Sequence, residues 1–133
     1  NSTWYTNIGD MPEADFLAAV AERSDCNILL DINNIAVNYK NHHKHQHVHD
    51  IAEFIARVDR SRISYMHVAG HEFDERFGMY IDTHSQPVAA DTVQAALQLH
   101  RLHGIPILLE WDNDVPDMDT INQELACLRF MTM

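Results

Sequence analysis

Four short stretches combine acids, amides and imidazoles: Asp31-Ile32-Asn33-Asn34, His67 with His71, Asp82-Thr83-His84 and Glu110-Trp111-Asp112. Together they offer carboxylate oxygen, amide oxygen and imidazole nitrogen without any thiolate, a mixture that suits first-row cations such as iron, manganese or zinc. Alternate side chains of an extended strand point the same way, so Asp82 and His84 are expected to reach one ion. Asp31 and Asn34 differ by three, which requires the strand to bend into a loop after Asn33. Carboxylates gathered in one pocket resist joint ionisation, and a cation resolves that conflict. Plainer roles compete. An Asp after a strand is commonly the N-cap of the next helix, which applies to Asp31 and Asp112. A single His at a strand end is often only a hydrogen-bonded polar residue.

The elements that must position these groups follow from periodicity. Asp10-Met11-Pro12-Glu13 predicts a capping box and a helix of about twelve residues with Phe16, Leu17 and Val20 on its apolar face. A buried strand follows over Asn27–Asn34, closing on polar groups. Asp50 opens a second D-x-x-E helix with Ile51, Phe54, Ile55 and Val58 on one side. Ile63–Val68 is strand-like, Met79–Asp82 is a short third strand, and Asp91–His103 is a helix that Gly104 ends. Ile105–Glu110 makes a fourth apolar run, and the last helix runs from Asp119 to Met131. This alternation is the rhythm of β/α units on a parallel sheet. Open doubly wound sheets and closed barrels both fit it. Every apolar strand runs into the polar clusters at its C-terminal end, and a barrel would gather all of them around one mouth.

Composition excludes several classes. Nine Lys+Arg against 20 Asp+Glu give a net charge of −11, which disfavours binding to nucleic acid, where clustered cations are needed. The 46% hydrophobic content supports a packed core rather than a disordered tail. No apolar run reaches the ~20 residues of a membrane span. Cys26 and Cys127 form no C-x-x-C pair and are expected as small core residues in a reducing compartment, the cytoplasm. No glycine-rich nucleotide loop, G-x-S-x-G elbow or H-E-x-x-H motif occurs. The tract His42-His43-Lys44-His45-Gln46-His47-Val48-His49 loves metals by composition, but in a loop its histidines fan into solvent and weak adventitious binding is expected. His42, directly after the strand-end loop, is the exception and is expected to help shape the pocket.

Taken in order, Leu30-Asp31-Ile32-Asn33-Asn34, Met66-His67-Val68-Ala69-Gly70-His71, Ile81-Asp82-Thr83-His84-Ser85-Gln86-Pro87-Val88 and Leu109-Glu110-Trp111-Asp112-Asn113-Asp114-Val115-Pro116 resemble the domain of unknown function 692 family. That family includes the methanobactin-biosynthesis B-type enzymes. The resemblance runs from residue 1 to near the end. It implies a (β/α)8 TIM barrel like xylose isomerase, and two or three iron ions that use oxygen to rework cysteines of a ribosomal precursor peptide, with a partner protein presenting the peptide. Zinc or manganese is the alternative, for an isomerase or hydrolase on the same barrel. Position by position it implies Asp31, Asn34, His67, Asp82, His84 and Glu110 as metal ligands. Asp112 is then a site-lining carboxylate that handles a proton, and His71 is an outer ligand or support behind the ligands.

Two features depart from the pattern. The family's E-N-x-S-type motif supplies a bridging glutamate that would end where this chain opens at Asn1-Ser2-Thr3, and further histidine ligands come from earlier strands. The 133 residues are therefore expected to be the C-terminal half of a single ~250-residue barrel domain, an excised piece inactive by itself. The histidine tract is also not a family feature, so a non-catalytic, metal-sequestering or partner-binding fragment is the third alternative.

Overall fold

The computed structural model describes residues 1–6 and 9–130, the side chain of Phe130 excepted. Three strands, β1 (Ile28–Asp31), β2 (Ile63–Val68) and β5 (Ile107–Leu109), form a parallel sheet in the order β1-β2-β5. Among the described residues five α-helices accompany them: α1 (Glu13–Ser24), α2 (Ile32–His42), α3 (Ile51–Arg57), α4 (Ala90–His103) and α5 (Met118–Phe130). This is a mixed α/β fold on a parallel sheet. Met131, expected in the last helix, lies outside the described residues.

The sheet has two unlike faces. Leu30, Met66 and Val68 point to one side and are wholly buried in a core completed by Ile35 of α2, Phe54 of α3, Ala96 and Leu99 of α4 and Leu128 of α5. Side chains alternate along a strand, so Leu29, Tyr65 and Leu108 point to the other side. There they are 37%, 36% and 46% exposed. Asp31, His67 and Glu110 continue this open face at the C-terminal ends of the same three strands.

Several expectations need correction. Met79–Ile81 (β4) does not join the main sheet; it pairs antiparallel with Glu72–Asp74 (β3) as a separate hairpin. The strand expected to run to Asn34 stops at Asp31, and α2 starts at the next residue. Its Asn-rich, β-branched sequence is a poor helix former, and burial of Ile32, Ile35, Ala36 and Val37 overrides that preference. The Asp10 capping box does not form: α1 has no side-chain cap, because Glu13 instead accepts from Ser2 N, Trp4 Nε1 and Asn38 Nδ2. The buried face of α1 is Ala14 and Ala21 with Leu17 alongside, whereas Phe16 and Val20 face out. Alanines let the helix approach the core closely. The Asp50 capping box does form, and Gly104 takes the left-handed conformation that ends α4. Both cysteines are exposed rather than in the core: Cys26 follows the left-handed turn at Asp25, and on α5 it is the neighbouring Leu128 that is buried.

Candidate metal centre

The parallel register places the first three groups side by side. Asp31 pairs with His67 across β1 and β2, and Glu110 N donates to Val68 O at 2.9 Å, carrying the ladder one residue past β5. His67 Nδ1 consequently lies 3.0 Å from Glu110 Oε2 and 3.9 Å from Asp31 Oδ2. One ligand atom from each of the three fits within a 4.8 Å span.

His84 arrives by a different route. Its φ is 51°, a conformation that costs a non-glycine residue on the order of 1 kcal/mol or more and needs support from its surroundings. The support comes from both sides: His84 N donates to Gly70 O, while Asp112 N and Asn113 N donate to His84 O. Asn113 Nδ2 also donates to Thr83 O. Gly70 is required for this close approach, since a Cβ there would collide with the Gln86 backbone. His84 Nδ1 then sits 3.0 Å from Asp112 Oδ2 and 3.7 Å from Glu110 Oε2, and its Nε2 sits 2.8 Å from Asp82 Oδ1. Asp82 and His84 thus converge as expected, but through a left-handed turn beyond the end of β4 rather than by strand alternation. His84, Glu110 and Asp112 form a second group within 4.8 Å, sharing Glu110 with the first.

The electrostatics suit a cation. Burial, joined by the Asp82 charge, pushes the Asp31 carboxyl from 3.8 up to about 6, against the pull of the Asn34 N–H and of His67 and His84. For His84 burial opposes protonation, yet the hydrogen bond to Asp112 and the charges of Asp82 and Glu110 outweigh it and raise its pKa. Five buried side-chain atoms among the described residues are orphaned, and two of them belong to expected ligands. Asn34 Oδ1 has no partner, and neither has His84 Nε2, whose 2.8 Å approach to Asp82 Oδ1 lacks hydrogen-bond geometry. Buried polar atoms are seldom left unpaired. An imidazole nitrogen without a hydrogen bond beside a carboxylate oxygen, among further carboxylates and imidazoles, is a donor set that fits a first-row metal.

α2 organises what surrounds these groups, and it is where reasoning from sequence missed most. Asp31 caps it, its carboxylate accepting from Asn34 N at 2.8 Å, so the cap and the acidic cluster are one residue. Asn34, Asn38 and His42, four apart, form one face that holds the N-terminal segment. Asn34 Nδ2 donates to Asn1 O, Asn38 Nδ2 to Ser2 O, and His42 Nε2 to Trp4 O. His42 also stacks on the Trp4 ring, centroids 4.4 Å apart. It therefore stands with Trp4 and not among the clustered carboxylates. Asn1 reaches the free edge of β1, exchanging two hydrogen bonds with the Asp31 backbone. His71 touches none of the clustered ligands directly; its Nδ1 donates to Asn33 Oδ1, and Asn33 Nδ2 donates to Asp82 Oδ1 at 2.6 Å. Lys40 and Asn1 carried no signal in the sequence, and Asn33, visible there as one more amide at a strand end, becomes a bridge only once α2 is known to be a helix. The loop histidines 43 and 45 are exposed, and no tract histidine belongs to either ligand group.

Comparison with known proteins identifies the family. The model of a family described as RiPP precursor modification enzyme MbnB/TglH/ChrH matches residues 1–132. Among curated relatives, the UPF0276 protein of Shewanella sediminis is 35% identical over 127 residues, covering 94% of this chain and 44% of that protein. Its counterpart in Shewanella amazonensis is 37% identical over 131 residues, covering 97% and 45%. The Alcanivorax borkumensis UPF0276 protein is 37% identical over 131 residues, covering 92% and 42%. The chain spans less than half the length of each of these relatives.

Proposed function

Starting from the membership of this chain in the RiPP precursor modification enzyme family MbnB/TglH/ChrH, we propose that its parent protein is a multinuclear iron enzyme. It would act on cysteine residues of a ribosomally made precursor peptide, with a partner protein presenting that peptide. The observation that carries this is the convergence of Asp31, His67 and Glu110 in one group and of His84, Glu110 and Asp112 in another, with Asp82 Oδ1 2.8 Å from the orphaned His84 Nε2. Asp31, Asn34 and His67 would hold one cation with Glu110, and Asp82 and His84 another. Bound iron would supply oxygen-dependent oxidation of the peptide thiol. Glu110 would hold the two halves of the site together. Asp112, half-exposed beside His84, would take or return a proton at Oδ2 as substrate enters.

We further place the chain as one half of a TIM-barrel domain. β1 and β5 are the outer strands of the sheet, and the exposed Leu29, Tyr65 and Leu108 would face the barrel interior beneath the polar mouth. No helix among the described residues is long and apolar enough to cross a membrane, and we assign the cytoplasm as its setting. The 133-residue segment alone would lack activity.

The test is metal analysis of the full-length parent purified without oxygen, followed by oxygen uptake with a cysteine-containing precursor peptide. Near-stoichiometric iron and peptide-dependent uptake are expected. Zinc or manganese with no oxygen consumption would instead assign an isomerase or hydrolase on the same scaffold, and absence of metal above background would end both.

A further inference from the structure

Behind Asp82 a run of three hydrogen bonds leads out of the site to a cation. Asn33 and Lys40 lie seven residues apart on α2, two turns, and so share one face. Asn33 is wholly buried and bridges Asp82 Oδ1, at 2.6 Å, to His71 Nδ1, at 2.7 Å. The other ring nitrogen of His71 lies 2.7 Å from Lys40 Nζ. The ammonium is held in place by Asp91 Oδ2 at 3.6 Å and by the Tyr80 ring at 5.4 Å from its centroid.

The direction of every bond is determined. Ionised Asp82 can only accept, so Asn33 presents its NH2 to it and its carbonyl oxygen to His71. His71 must then carry its proton on Nδ1 and accept from Lys40 at Nε2. Reversing the Asn33 amide would set two acceptors 2.6 Å apart, and the other His71 tautomer would face an N–H toward the ammonium. Burial and the Lys40 charge, against a weaker pull from Asp91, lower the His71 pKa to about 4, in keeping with a neutral ring. A chain with a cation at one end and a carboxylate at the other is polarised along its length, and each bond strengthens the next.

We propose that Lys40 is a positioning residue for the Asp82/His84 side of the site, acting through His71 and Asn33 to fix the Asp82 carboxylate toward His84 Nε2. This rests on the assignment of Asp82 as a metal ligand. Lys40 itself touches none of the clustered ligands. Its role is to remove the rotational freedom of a carboxylate whose second oxygen has no protein partner among the described contacts.

The experiment uses the full-length parent, stripped of metal and titrated with Zn2+ or, without oxygen, with Fe2+. Lys40→Met and His71→Phe are expected to weaken binding by about 10–100-fold, whereas His71→Gln, whose amide both donates and accepts, stays within about threefold. Nitrogen-15 spectra of the metal-free protein should show His71 protonated on Nδ1 and unprotonated on Nε2. Circular dichroism verifies that each variant is folded. Folded Lys40→Met and His71→Phe that bind as the parent does, or a parent His71 protonated on Nε2, would overturn the proposal. Failure of the unmutated parent to bind either metal would instead remove the ligand assignment on which it rests.

Discussion

Glu110 Oε2 stands 3.0 Å from His67 Nδ1. The same oxygen lies 3.7 Å from His84 Nδ1, so a single carboxylate at the end of β5 faces the imidazoles that end β2 and that follow the β3-β4 hairpin. Among the described residues no other belongs to both ligand groups.

That sharing makes Glu110 unlike its neighbours. Glu110→Gln in the parent protein is expected to lower affinity at both cation positions, by at least ~10-fold each, given that even outer supporting groups contribute that much. His67→Ala and His84→Ala should each affect one. Metal titration with stoichiometry resolved checks it; a Glu110→Gln protein losing only one equivalent would contradict the shared role.

Gly70 carries the next prediction. Its carbonyl accepts from His84 N and its Cα faces the Gln86 backbone too closely for a methyl group. Gly70→Ala must push away the segment that holds His84 left-handed, and is expected to destabilise the fold by ~2–3 kcal/mol. Chemical denaturation measures that loss, and metal binding at the His84 position should fall with it.

The pH dependence of stability separates His71 from Asp31. The folded-state pKa of His71 is lowered from 6.5 to about 4, so its contribution is fully present above pH 6.5 and is lost as pH falls toward 4. Asp31 has the opposite sign, because a carboxyl raised from 3.8 to about 6 binds a proton in the folded state first. Comparing the metal-free parent with His71→Gln cancels Asp31. The parent should lose ~1–2 kcal/mol relative to the variant between pH 7.5 and 4.5, after allowance for solvent screening of a half-buried ring. Urea denaturation at the two pH values reads the difference, and parallel profiles would refute it.

The histidine tract should behave independently. Replacing His43, His45, His47 and His49 with Ala is expected to abolish weak retention on nickel resin while leaving iron content of the anaerobically purified parent unchanged. Loss of the iron along with the nickel binding would move the functional centre to the loop.

The sequence by itself determined the residue types of the site and their order along the chain. It also determined the β/α rhythm, because a helix or strand announces its buried face through spacing, as with Phe54 and Val58 or Met66 and Val68. The Asp50 capping box was equally legible, since its partners lie three residues apart. What only the tertiary structure decided are relationships between residues distant along the chain. The packing of Ile32, Ile35 and Val37 turned a sequence with weak helix preference into α2, and with it made Asn33 the bridge between His71 and Asp82. The hydrogen bonds of Gly70, Asp112 and Asn113 with the His84 backbone hold a conformation that local preference disfavours. Periodicity records which face of an element is buried. It does not record which distant side chain satisfies a buried amide, and at this site those long-range bonds set the geometry.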